Sequence, residues 1–222
     1  MQVPAAGQVD IWLAGAEYGP HEAALLSPEE QARVDRFIVE QARLTYLRGH
    51  ILLRRALAAY TSQPPERLTF TTGPFGRPEL EAGGNLRFSL SHTDGFAAVA
   101  VASDAVGVDV EAVTRDVGEL TRVAELYFAP SEREAACSGA FFDLWTLKEA
   151  CLKAMGLGLS VSLHKVAFDI SGDAPRVIFD ASLGEDAAQW SFALLSPDRG
   201  YRLALALRHP RLSIGKMLAL PA

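Results

Sequence analysis

Four short stretches of the 222-residue chain hold side chains whose types and spacing could do chemistry. The first is Gly107-Val108-Asp109-Val110-Glu111. Residues two apart on a strand point to the same face, so Asp109 and Glu111 project side by side while Val108 and Val110 face a core. Adjacent carboxylates repel each other, and a divalent cation relieves that cost. A pair facing open space suits Mg²⁺, which keeps waters and often shares substrate phosphates. Taken alone, the segment is more often an exposed strand end with two solvated acids.

The second stretch is Trp145-Thr146-Leu147-Lys148-Glu149-Ala150-Cys151-Leu152-Lys153. On a helix, Leu144, Leu147, Ala150, Cys151 and Ala154 form one apolar stripe, which fixes the buried face. Trp145, Glu149 and Lys153 lie at i, i+4 and i+8 beside that stripe, and Lys148 projects from the other side of Trp145. The helix therefore offers a carboxylate between two ammonium groups. The plain alternative is a surface Glu149–Lys153 pair worth only about 0.3–0.5 kcal/mol.

The third stretch is Phe88-Ser89-Leu90-Ser91-His92-Thr93, where alternation groups Ser89 with Ser91 and leaves His92 at a strand end. Hydroxyls, an imidazole and nearby backbone N–H groups can bind phosphate oxygens. A turn histidine without a role fits equally well, and no nucleophile-elbow pattern supports a Ser–His pair. The fourth stretch is cationic. Arg43, His50 and Arg54 share one helix face, and Arg77 sits between Gly76 and Pro78, whose rigidity holds its direction. Such clustering in an acidic chain could form a site for a polyanionic small molecule. Arg48 and Arg55, on another face, read as solvated arginines.

These side chains need elements to position them. Ser27-Pro28-Glu29-Glu30 is a helix-start signal with a capping box. Helical material then runs, with a break, to about Tyr60, where Pro64-Pro65 stops it. Strands are expected at Val9–Leu13, Leu68–Thr72, Leu86–Ser91, Phe96–Ala102 and Val106–Glu111. An Asp94-Gly95 hairpin turn joins the third and fourth of them. Helices follow at Val117–Phe128, at Ser131–Cys137 behind a second capping box (Ser131, Glu134), and at Phe141–Met155, closed by Gly156. Strand-like segments finish the chain at Val166–Ile170, Arg176–Phe179, Trp190–Leu195 and Tyr201–Leu207. The order predicts an α+β chain of two similar halves, residues 1–105 and 106–222.

Composition narrows the function. Lys and Arg number 21 against 27 Asp and Glu, a net charge of -6 that disfavours nucleic acid and anionic membranes as partners. Two cysteines make no disulfide framework, which points to a reduced compartment. The N-terminus lacks the basic start and apolar run of a signal peptide, and no apolar stretch approaches the roughly 20 residues of a membrane helix. The expectation is a cytoplasmic protein. No Walker loop, kinase loop set or dinucleotide glycine motif occurs. Acids for Mg²⁺, cations for phosphates and one extra helix carboxylate are the kit for transfer of a phosphate-linked group.

In order and spacing, these motifs resemble the Sfp-type 4′-phosphopantetheinyl transferases along the length of the chain. The resemblance implies two pseudo-twofold-related α+β halves with coenzyme A bound between them. It implies Mg²⁺ on Asp109, Glu111 and Glu149, with Glu149, Asp109 and Lys153 as the catalytic group. Coenzyme A contacts fall on Arg77, Ser91, His92, Lys148 and Lys153, with Arg43 and Arg48 as candidates for the adenosine 3′-phosphate. Ser89 stands where many members carry Asn, which leaves its contact in doubt.

The implied reaction transfers phosphopantetheine from coenzyme A to a serine of an apo carrier protein, acyl, peptidyl or aryl, and releases adenosine 3′,5′-bisphosphate. The pathway served (fatty acid, polyketide or nonribosomal peptide synthesis) is open, and a monomer is expected. Val113–Phe128 could be core or carrier-docking surface, core being the better reading for most of it. Two other readings stay open: a Mg²⁺-dependent hydrolase of a nucleotide pyrophosphate such as coenzyme A, and a non-enzymatic module that binds a carrier or coenzyme A.

Overall fold

The computed structural model describes residues 1–17, 20–73, 76–113 and 117–220; Pro74 and Phe75, just before Gly76 and Arg77, and residues 114–116 lie outside them. In chain order the elements begin with β1 (Gln8–Ala14), α1 (Pro28–Val34), α2 (Glu40–Ala58), β2 (Phe70–Thr72), β3 (Pro78–Leu80), β4 (Arg87–Thr93), β5 (Phe96–Ala102) and β6 (Val106–Ala112). They continue with α3 (Val117–Tyr127), α4 (Phe141–Met155), β7 (Val166–Asp169), β8 (Arg176–Phe179), β9 (Ser191–Leu195), β10 (Tyr201–Leu207) and β11 (Ser213–Ala219).

Local signals account for most of these boundaries. Ser27 Oγ accepts the Glu30 N–H at 3.3 Å, and Glu30 Oε2 accepts the Ser27 N–H at 2.8 Å, so the first capping box forms. Thr93 pairs with Phe96 across a two-residue Asp94-Gly95 turn, and Gly95 takes the φ of 74° that the turn requires. Gly156 closes α4 with φ 71°. The second capping box is different from the one expected. Glu132, not Glu134, reaches back, accepting the Ala129 N–H at 2.9 Å. The segment from 130 to 140 is a run of short irregular helical turns around Gly139, whose φ is 109°.

Two main sheets carry the architecture, one ordered β11-β1-β5-β4 and the other β6-β10-β9. Strand alternation divides three cores between them. On β1, Trp12 and Ala14 join α2 in one core, while Val9, Ile11 and Leu13 face the opposite way. That second group meets Val106, Val108 and Val110 of β6 and Leu203, Leu205 and Leu207 of β10. The far face of β10 (Ala204, Ala206) packs under α4. The result is an α+β stack of helix, sheet, sheet and helix, in which Val108 and Val110 face the central core as their alternation predicts. The strand β11 was not expected. It is mostly exposed and pairs in parallel with β1, carrying the end of the chain back to the first sheet.

Candidate active site

The backbone of α4 lies directly on β6. A Cβ at position 107 would fall inside the carbonyl oxygen of Ala150 and 2.7 Å from the Ala154 amide nitrogen, so only glycine admits the helix there. This close approach sets Glu149 and Lys153 over the face of β6 that carries Asp109 and Glu111. Lys153 Nζ donates to Asp109 Oδ1 at 2.7 Å and to the Val108 carbonyl at 3.1 Å. Ser91 Oγ donates to the same Asp109 oxygen at 2.8 Å. Asp109 Oδ2 is buried and has no hydrogen-bond partner. Burial, then the charge of Asp109, pushes the Glu149 carboxyl above its ordinary pKa; Lys153 pulls it down and Glu111 adds to the rise. Thr93 Oγ1 donates to Glu111 Oε2 at 3.5 Å.

The β6 edge that faces β4 is satisfied by side chains rather than by a backbone ladder. Val108 N–H donates to Ser89 Oγ at 3.1 Å, and Val110 N–H donates to Ser91 Oγ at 3.2 Å. Ser89, in doubt from sequence, therefore holds the strand that carries the acids. Arg77 completes the row. Its Nη2 donates to Val106 O at 3.2 Å and Phe88 O at 2.9 Å, and its Nη1 to Lys153 O at 2.9 Å and Ala154 O at 3.3 Å. The expected phosphate contact thus has its two terminal nitrogens committed to carbonyl oxygens.

A cavity of about 530 Å³ opens beside this seam, and Ser89, Arg77 and Lys153 line it together with Glu30, Arg33 and His50. Glu30 holds two side chains of α2: His50 Nδ1 lies 3.0 Å from Oε1, and Arg54 Nε donates to Oε2 at 2.6 Å. The His50 ring stacks on Tyr46 with centroids 3.9 Å apart, and Arg33 covers the same ring at 5.2 Å. Arg33, Arg36 and Phe37 shape an adjoining hollow. Arg33 and Glu30 escaped the sequence reading. Glu30 was legible only as a cap, and Arg33 has no spacing relation to the other cations. His92 packs its ring against Gly49, where a Cβ would sit 2.6 Å from Cδ2. The residue keeps an exposed edge, but the protein crowding the ring lowers its pKa to about 4, helped by His50 and Lys153. A neutral imidazole can still donate one N–H to a phosphate oxygen.

Three expected coenzyme A contacts stand elsewhere. Arg43 lies on the surface and pairs with Glu40 at 2.6 Å, because the two stand at i and i+3 on α2. Arg48 is buried rather than solvated. It donates through Nη2 to Ala16 O at 2.8 Å and does not line the cavity. Lys148 is fully buried on the far side of α4, 2.7 Å from Glu132 Oε2, and donates to Leu163 O at 3.0 Å and Val166 O at 2.5 Å. One residue of helix rotates it about 100° from Glu149, which removes it from the cavity side. Within the segment from 113 to 128, Phe128 is core and Leu120 and Val123 are partly buried, while Leu126 and Tyr127 are 72% and 46% exposed.

Among the described residues, no group of three or more His, Cys, Asp or Glu stands ready-made as a metal site. The donors nonetheless suit a hard divalent cation in kind. Asp109 and Glu111 each raise the pKa of Glu149, and one buried Asp109 oxygen has no protein partner.

Comparison with known proteins identifies the family. The profile described as 4′-phosphopantetheinyl transferase, N-terminal, matches residues 12–104, and that of the 4′-phosphopantetheinyl transferase superfamily matches residues 105–206. The 4′-phosphopantetheinyl transferase HetI of Nostoc sp. is 32% identical over 196 residues, covering 83% of this chain and 79% of that protein. The 4′-phosphopantetheinyl transferase psf-1 of Bacillus pumilus is 29% identical over 193 residues, covering 83% and 80%. The human L-aminoadipate-semialdehyde dehydrogenase-phosphopantetheinyl transferase is 25% identical over 209 residues, covering 83% and 68%.

Proposed function

The chain belongs to the Sfp-type 4′-phosphopantetheinyl transferases, and from that premise we propose that it moves 4′-phosphopantetheine from coenzyme A to a serine of an apo carrier protein, with adenosine 3′,5′-bisphosphate leaving. The observation that carries the mechanism is α4 seated on Gly107, which brings Lys153, a residue of the cavity wall, onto Asp109 and sets Glu149 within reach of the Asp109 charge. Coenzyme A enters that cavity with its pyrophosphate near Lys153 and His92 and its adenosine end toward Arg33 and His50. Lys153 supplies a fixed positive charge to the pyrophosphate, and His92 a neutral donor. Asp109, Glu111 and Glu149 would hold Mg²⁺, which when bound offsets charge developing on the leaving phosphate. Glu149 serves first in that set. Its raised pKa also fits it to take the proton of the carrier serine, directly or through water.

The halves 1–105 and 106–222 then meet along the β4–β6 seam, with β11 returning to the first sheet. One chain builds the whole cleft, which supports a monomer. No helix among the described residues is long and apolar enough to cross a membrane, and a cytoplasmic location goes with the proposal. The named relatives are transferases and give hydrolysis of a nucleotide pyrophosphate no support. Apo acyl, peptidyl and aryl carriers incubated with coenzyme A and Mg²⁺ test the reading. Carrier serines should gain phosphopantetheine. Consumption of coenzyme A with every carrier left unmodified would reject it.

A further inference from the structure

We propose that Arg77 is a positioning residue for the transfer: it clamps the seam between the halves and so holds the helix bearing Glu149 and Lys153 against the strand bearing Asp109. The proposal rests on the site reading above. Its basis is the set of four carbonyl oxygens that the guanidinium spans. Phe88 O belongs to β4, Val106 O to β6, and Lys153 O and Ala154 O to the last turn of α4. Lys153 O also accepts the Gly156 N–H at 3.2 Å, so the guanidinium joins the C-terminal cap of α4, where a cation opposes the negative end of the helix dipole.

The two strand carbonyls belong to different sheets and both are acceptors, so only a donor placed between them can join them. A planar fork serves both pairs at once, whereas an ammonium group is a point donor. Gly76, at φ 81°, and Pro78 fix the direction from which the side chain enters. Contact with a phosphate through the terminal nitrogens would require breaking bonds that tie three elements together. Arg77 therefore acts through Lys153 and Asp109 rather than on coenzyme A itself.

The variants Arg77→Lys and Arg77→Met test this in the full chain. Coenzyme A affinity is read by calorimetry without Mg²⁺, kcat and KM by carrier modification, and amide hydrogen exchange at Val108, Val110 and Gly156 on the free protein. For Arg77→Lys we expect coenzyme A affinity within about twofold of wild type, kcat lowered about tenfold or more, and faster exchange at all three amides. Arg77→Met should show the same exchange pattern, larger in degree. A tenfold or greater loss of coenzyme A affinity with unchanged exchange would overturn the proposal and make Arg77 a phosphate ligand. Unchanged kcat with unchanged exchange would also overturn it. Exchange is read without substrate, so it decides the clamp even if wild type modifies no carrier, a result that would count against the transferase reading alone.

Discussion

Gly107 and Ala150 touch backbone to backbone: a Cβ on the glycine would lie 1.9 Å from the Ala150 carbonyl oxygen. This single contact sets how near a helix carboxylate can come to a strand carboxylate. It explains why a glycine stands two positions before Asp109 on β6, and it ties the two motifs most visible in the sequence into one piece of geometry.

Gly107→Ala is the sharpest test of that contact. Overpacking a filled core costs about 1–3 kcal/mol, and here the obstruction is helix backbone, which cannot swing aside as a side chain can. The variant should lose at least that much stability in urea unfolding, together with its transferase activity. Wild-type stability and activity in Gly107→Ala would show that α4 does not rest where described.

Ser89 and Ser91 allow structure and chemistry to be separated. Each accepts a buried N–H of β6, so either alanine variant leaves one donor unsatisfied at a cost of about 1–3 kcal/mol. Only Ser91 also donates to Asp109. Ser91→Ala should therefore lose about tenfold more kcat than Ser89→Ala at similar stability, as measured by urea unfolding and carrier modification. Equal kcat in the two variants would remove Ser91 from the site.

Lys148 tests the correction made to the helix motif. Both members of the Lys148–Glu132 pair are fully buried. Glu132 also accepts the N–H groups of Ala129 and Phe168. Lys148→Met strands a buried carboxylate, at a cost of about 3–5 kcal/mol. The double variant Lys148→Met with Glu132→Gln should recover part of the loss in urea unfolding. Coenzyme A affinity should stay unchanged in Lys148→Met measured at a temperature where it is folded. A weakened affinity there would return Lys148 to the cavity.

The contrast among these residues shows what local pattern can reveal. The alternation of Val108, Asp109, Val110 and Glu111 places two side chains in a core and two on the far face, and the strand obeys it. The stripe from Leu144 to Ala154 is buried as its spacing requires. Lys148 was misplaced because its partner, Glu132, comes from an irregular segment that no period marks. The role of Arg77 was hidden because its acceptors are backbone oxygens of three elements, and backbone acceptors leave no trace in residue types. The strand β11 was missed for a different reason. Its pattern is nearly all exposed, and it forms only because β1, some two hundred positions earlier, offers an edge. Glu30 was legible as a cap but not as the anchor of His50 and Arg54, which lie a helix away.

Glu30 also gives a pH dependence. Burial pushes its carboxyl up, but hydrogen bonds from His50, the Ser27 backbone and Arg54 more than offset this and leave its pKa below the ordinary 4.5. A depressed carboxylate pKa contributes stability that is complete above the unfolded value and is lost as pH falls through the folded one. Glu30→Gln should thus be less stable than wild type at pH 7, by about 1–3 kcal/mol, and should lose less on acidification below pH 4.5. Parallel curves of unfolding free energy against pH for the two proteins would refute the assignment.

The central claim is that Asp109 works with Glu149 and Lys153 in a Mg²⁺-dependent transfer. Its most direct test is intact-protein mass spectrometry of an apo carrier incubated with coenzyme A and either wild type or Asp109→Asn, in Mg²⁺ or in excess chelator. The account predicts modification by wild type in Mg²⁺ and none above background in the other three reactions, with Asp109→Asn still folded by circular dichroism. Full modification by Asp109→Asn, or by wild type in chelator, would contradict it.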